Sequence, residues 1–204
     1  MPDANITKLA LADSLKKLMA KKAFNKINVR DIAKGSGLTR QSFYYHFKDK
    51  YDLMNWIFIT EFPLFLTSAG KAGDFTGGLM DLCRYMQANK PFYKNALATV
   101  GQNSFPESLV HYLSEACLSA VKIRLGENYD REKWEFFVSF FSAAFVTFLV
   151  RWAKGGMHED PSGYINQIRG FFDGTMLCEL KSGRRKGTKR SAVKDTTAKK
   201  SDIS

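Results

Sequence analysis

Residues 29–47, VRDIAKGSGLTRQSFYYHF, set two short helical patterns on either side of Gly35-Ser36-Gly37, and no other stretch restricts the fold as tightly. Asn28 can cap the first helix, with Asp31 three positions on as an acidic partner suited to a helix N-terminus. The glycines stop that helix after about two turns, because glycine accepts the positive φ of a tight exit. Thr39 can cap a second helix from Arg40 to about Phe47. Ala33, four residues before Gly37, leaves only a methyl group where the helices cross. The pattern is a helix-turn-helix, whose second helix lies in the DNA major groove.

The second helix divides its faces accordingly. Phe43 and Phe47, four apart, form a buried stripe. Gln41 and Tyr45 point away from it, with Ser42 and Tyr44 on the flanks, and all four can hydrogen-bond to base edges or phosphates. Arg40, in the first turn, is long enough to reach a phosphate or a guanine, and His46 lies in the same helix. A generic two-helix corner with solvated tyrosines is the bland alternative. Two adjacent exposed tyrosines in a basic neighbourhood weigh against it.

The stretch resembles the DNA-binding domain of the TetR/AcrR family of bacterial transcriptional regulators. Ile32-Ala33, Gly37-Leu38-Thr39, Phe43-Tyr44, His46-Phe47, Lys50 and Leu53 carry the resemblance, which extends from about Thr7 to about Phe62. It implies phosphate contacts from Tyr44 and Lys50, and further phosphate and base contacts from Thr39, Arg40, Gln41 and Tyr45. Asn28 stands where the family often has a phosphate-touching threonine, and an Asn can still donate there.

Charge is distributed as a nucleic-acid footprint requires. Residues 1–69 hold 11 Lys/Arg against 6 Asp/Glu, residues 70–180 hold 11 against 12, and residues 181–204 hold 9 against 2. Three widely spaced cysteines (Cys83, Cys117, Cys178) form no CxxC pair, which points to buried inert thiols in a reducing cytoplasm. The N-terminus MPDANITK lacks the apolar core of a signal peptide. His46, His111 and His158 are far apart, and no phosphate-cradling loop, metal-ligand cluster or nucleophile motif is present. No catalytic residue, metal or cofactor is therefore expected.

Helix formers dominate and no stretch alternates like a strand, so the expected class is all-α. The expected domains are residues 1–50 for DNA binding, 51–180 for regulation and dimerisation, and 181–204 as a disordered basic tail, either merely solvated or an arm on DNA. The first helix is expected from Thr7 to Lys22, buried through Leu11, Leu15, Leu18 and Met19. The fourth should run from Asp49 to about Ser68 with a kink at Pro63; its N-terminus, with Lys50, can hold a phosphate. Ser68 to Gly78 reads as the inter-domain turn. Helices then follow over Leu79–Ala88, from Pro91, over Pro106–Leu125, Asp130–Lys154 and Ser162–Leu180.

Residues 136–150, FFVSFFSAAFVTFLV, contain no charge. Fifteen residues fall short of the roughly 20 that span a bilayer, so burial on two sides is expected, one within the subunit and one against a second copy. Ser139, Ser142, Ala143 and Ala144 would permit close helix approach, with Ile165, Ile168, Phe171, Phe172 and Leu177 of the last helix completing a four-helix homodimer interface. TetR-family proteins are similar in this respect.

The resemblance implies a repressor that binds double-stranded DNA at a near-palindromic operator and is released by a small effector. Candidate effector-lining residues are Trp56, Phe62, Tyr85, Phe92, Tyr93, Phe105, Phe141 and Phe145, a set suited to an apolar or aromatic molecule, although each also fits an ordinary core. The segments YDLMNW (51–56) and FLVRWAKGGMHEDP (148–161) resemble a subset common in Firmicutes, which includes activators of dihydroxyacetone kinase operons working with a separate protein co-activator. That opens the alternative of a regulator whose C-terminal domain binds a protein co-regulator.

Overall fold

The structure, a computed structural model, describes residues 2–62, 75–126, 129–174 and 178. Among the described residues it is all-α, without strands. The helices are α1 (Pro2–Met19), α2 (Val29–Gly35), α3 (Arg40–His46), α4 (Lys50–Glu61), α5 (Phe75–Ala88), α6 (Lys90–Ala96), α7 (Phe105–Leu125), α8 (Arg131–Lys154) and α9 (Ser162–Phe172), with a 3-10 turn at Phe24–Lys26. The chain divides into two compact parts, residues 1–162 and 163–204.

In the first part α1 is the post against which α2 and α3, the two helices of the helix-turn-helix, stand. Leu11, Leu15 and Met19 are buried, one turn apart on a single face. The same face carries Ser14, whose hydroxyl donates to the Ile32 carbonyl at 2.8 Å and ties α1 to α2. Gly35 lies directly over Ser14, so any Cβ there would run into the hydroxyl. The close crossing therefore falls at Gly35 as well as at buried Ala33. Phe43 and Phe47 seal α3 onto this core, and complete burial of a phenylalanine contributes about 1.5–3 kcal/mol.

α4 ends at Glu61 rather than continuing through Pro63. The residue before a proline is pushed out of helical φ/ψ, and Phe62 sits at ψ 45°. The expected kink and the Ser68–Asp74 portion of the turn lie outside the described residues. α5 starts at Phe75, one turn before the expected Leu79. Gly77 and Gly78 read as loop because glycine disfavours helices, but Thr76 and Gly78 are buried, and packing overrides propensity.

α8 faces two ways. Val138, Ser142, Phe145, Val146, Leu149, Trp152 and Ala153 form a buried stripe on the inner side, where the helix lies along α7. Phe136 and Phe140, on the opposite side, are 76% and 66% exposed, and Ser139, Ala143, Ala144 and Thr147 are exposed with them. Ser142 thus belongs to the inner face, beside Cys117, and not to the outer face as expected. By length and composition alone this helix could cross a bilayer, so length does not dispose of the membrane reading.

Cys83 and Cys117 are buried, and burial pushes both thiols up to about 12, where they stay protonated and inert. Cys178 is exposed, against expectation. Of the residues expected to complete the interface from α9, Ile165 is buried and Phe171 and Phe172 are 53% and 43% exposed. Leu177 and residues 181–204 lie outside the described residues.

Candidate nucleic-acid interface

Both helices of the helix-turn-helix, α2 and α3, are capped as their sequences require. The Asp31 amide donates to Asn28 Oδ1 at 2.9 Å, and the Asn28 amide donates back to Asp31 Oδ2 at 3.3 Å, a complete capping box. This cap uses the Asn28 side-chain Oδ1 and backbone N–H and does not use Nδ2. Gly37 takes φ 71°, and the Leu38 amide closes the turn onto the Ala33 carbonyl at 2.9 Å. The Ser42 amide donates to Thr39 Oγ1 at 3.1 Å, so the threonine hydroxyl can still donate outward.

On α3 the structure brings the candidate contacts to one side. Thr39, Arg40, Gln41, Tyr44 and Tyr45 are exposed, Ser42 and His46 are half-buried, and Phe43 and Phe47 face inward. Tyr45 is 83% exposed and rests its ring edge-on against His46 at 4.9 Å, while Tyr44 leans on Phe43 at 5.5 Å. Both phenols are therefore braced at their base and open at the hydroxyl.

Lys50 and the start of α4 are placed differently from a phosphate clamp. The Lys50 ammonium donates to the carbonyls of Phe24 at 2.9 Å and Ile27 at 2.7 Å, with Asn25 at 3.5 Å, and lies 4.5 Å from the centre of the Phe24 ring. Burial pushes its pKa down, and the nearby Asp49 carboxylate partly counters this. The first amides of α4 are occupied as well, since Tyr51 and Asp52 donate to Asp49 Oδ1 at 2.8 and 2.9 Å. An acidic cap stands where the sequence suggests a phosphate, because Asp is itself a preferred N-cap.

Asp31 also accepts from Lys22 Nζ at 2.8 Å, linking the end of α1 to α2. That hydrogen bond, and then the Asn28 amide, hold the Asp31 carboxyl below its ordinary value of 3.8. A depressed folded-state pKa gives stability that is present above the ordinary value and lost as pH falls through the folded value. Thermal melts across pH are expected to show wild type more stable than Asp31→Asn near neutrality, the gap closing in acid below 3.8.

The candidate effector residues separate into three groups. Trp56 packs on Phe47 at 5.7 Å with Lys8 over its ring, so it belongs to the DNA-reading core. Phe62, Tyr85, Phe92, Tyr93 and Phe105 form one cluster, joined by Phe58 and Tyr112, which the sequence did not single out. Phe141 and Phe145 stack 6.1 Å apart in a ladder along α8. In the central cluster Phe58 lies 6.1 Å from Phe62, 6.4 Å from Tyr93, 5.4 Å from Phe105 and 5.9 Å from Tyr112, the spacing of rings already in contact. Its polar edge is Glu61, which accepts from the Tyr85 hydroxyl at 2.7 Å and pairs with Lys16 of α1. The Tyr93 hydroxyl is buried without a well-formed hydrogen bond, next to Tyr85, and burial pushes its pKa far up.

Two family models match the chain. Bacterial regulatory proteins of the tetR family match residues 11–56, and a transcriptional regulator C-terminal region of the TetR type matches residues 73–174. The chain belongs to the TetR family. This TetR-family protein is 31% identical over 94 residues to the HTH-type dhaKLM operon transcriptional activator DhaS of Lactococcus lactis. That alignment covers 46% of the chain and spans only half the length of the relative. Two solved structures share its fold. The dihydroxyacetone kinase operon activator DhaS aligns over 86% of this chain and 97% of its own with a TM-score of 0.60 at 21% identity. NalD, the secondary repressor of the MexAB-OprM multidrug efflux pump in Pseudomonas aeruginosa, aligns over 85% and 98% with 0.54 at 19%. The protein is accordingly a transcriptional regulator.

Proposed function

We propose that this TetR-family regulator works in the cytoplasm as a homodimer on a near-palindromic operator, each protomer laying α3 in the major groove. The observation that carries this reading is the sidedness of α3: Phe43 and Phe47 are sealed inside, while Tyr44, Tyr45, Gln41 and Arg40 stand in solvent. Residues 1–50 read DNA, residues 51–180 regulate and dimerise, and the basic residues 181–204 add sequence-independent attraction. The test is selection of bound DNA from a random pool, with wild type and Tyr44→Ala side by side. A palindromic motif enriched by wild type and lost in the mutant is the expected result. A motif enriched equally by both would remove Tyr44 from the interface.

Control by a small apolar effector would have to part rings that already touch. The packed cluster instead favours the second reading, a regulator whose C-terminal half answers to a protein co-regulator. The similarity to an operon activator supports activation over repression. Transcription in vitro from the selected operator, with purified protein alone and with lysate fractions added, tests the sign: a rise supports activation, a fall repression.

A further inference from the structure

The connection between α1 and α2, residues 20–28, is tied down from two sides by single side chains. α1 ends at Met19 without a glycine cap, and helix ends leave carbonyls without partners. One residue of α6 meets that need. Asn95 Nδ2 donates to the Met19 carbonyl at 2.8 Å and to the Lys22 carbonyl at 2.9 Å, and Asn95 Oδ1 accepts from the Phe24 amide at 2.9 Å. The last carbonyl of α1 and two backbone groups of the connection are thus satisfied by one amide, 71 residues away in the chain at Phe24. From the other side Lys50 holds the carbonyls of Phe24 and Ile27, and Asn28 follows at once as the cap of α2.

α6 is well placed to transmit. It lies against α1, α5 and α8. Phe92 and Tyr93, three and two residues before Asn95, sit in the aromatic cluster. A helix of seven residues cannot move its aromatic face without moving Asn95.

We propose that Asn95 is a positioning residue for DNA binding, through which the regulatory half sets the connection from α1 to α2 and hence the stance of α2 and α3. This rests on the reading of α3 as the DNA-contacting helix. It names a route that runs through the connection, which Asn95 holds from α6 and Lys50 from the start of α4. The chemistry is specific to an amide. Aspartate, nearly the same shape, keeps the acceptor for the Phe24 amide but turns two donors into acceptors facing carbonyls. A change in the aromatic cluster, by whatever partner occupies it, would reach α2 through this contact.

The test uses the full-length protein with Asn95→Asp and Asn95→Ala, the selected operator, and amide hydrogen exchange at Phe24. Both variants are expected to keep the wild-type sedimentation, exchange the Phe24 amide faster, and bind operator about tenfold more weakly or worse with an unchanged salt slope. Faster exchange with operator affinity within about twofold of wild type would overturn the proposal, because the connection would then be loose without consequence. Phe24 exchange unchanged in both variants would also overturn it, because Asn95 would then not hold the connection. Should neither variant fold, wild type decides: slower Phe24 exchange on operator supports the coupling, and identical exchange with and without DNA rejects it. A wild type that selects no DNA sequence removes the DNA-binding reading itself, and the proposal with it.

Discussion

Phe140→Glu is expected to turn the proposed homodimer into a monomer and to weaken operator binding by about a hundredfold or more, the usual scale on which a second linked half-site raises avidity. Phe140 lies in the middle of the outer face of α8, 66% exposed, one turn from Phe136. Exposed Ser139, Ala143, Ala144 and Thr147 surround it, small enough for another helix to approach closely. A contiguous apolar strip of this kind marks an interface rather than a solvated surface. A glutamate there would have to bury an unpaired charge in the dimer, a cost that a close-packed interface does not tolerate. The same substitution leaves the inner stripe through Phe145 and Leu149 untouched, so the monomer should remain helical and fold. Sedimentation velocity with the far-ultraviolet circular dichroism of the same samples checks this. An unchanged sedimentation coefficient would move the dimer interface off α8.

What the sequence shows and what it hides follow from the range of the interactions. Caps act over three residues, so Asn28 with Asp31 and Thr39 before Ser42 could be read directly, and the structure places each as its chemistry requires. The sidedness of α3 is periodic, and periodicity is visible in a single chain, whereas α8 reads as apolar all round and its inner stripe emerges only where it meets α7. The start of α5 was hidden because Gly77 and Gly78 signal a loop locally, while burial of Thr76 and Gly78 acts through tertiary packing. The aromatic residues could be named but not sorted. Trp56 and Phe62 occupy one helical pattern, yet one packs on Phe47 and the other on Tyr85, a distinction set by which neighbouring helix each meets. Asn95 was invisible for a related reason: a side chain satisfying distant backbone groups leaves no pattern in the sequence.

Lys50 shows the same gap between motif and placement, and Lys50→Met is expected to cost about 2–3 kcal/mol of stability, the loss of charge-assisted hydrogen bonds to buried carbonyls. Methionine keeps the length and the apolar stem, so the change removes little besides the charge and its three donors. The carbonyls of Phe24 and Ile27 would lose the ammonium, the Phe24 carbonyl keeping the Ile27 amide at 3.0 Å, and the Phe24 ring would lose the cation 4.5 Å from its centre. The cost of burying the ammonium, visible in its lowered pKa, is recovered on substitution and keeps the net loss below the sum of those contacts. The family resemblance assigns this lysine to a phosphate, which would make the mutant's salt slope for operator binding shallower by about one ion. With its donors held on backbone carbonyls, the expected slope is that of wild type, the affinity falling only as the stance of α2 and α3 loosens. Denaturant titration and operator binding at several salt concentrations separate the two. A stable mutant with a shallower slope would return Lys50 to the DNA backbone. A destabilised mutant with the slope unchanged would make it the counterpart of Asn95, each fixing the connection between α1 and α2 from its own side.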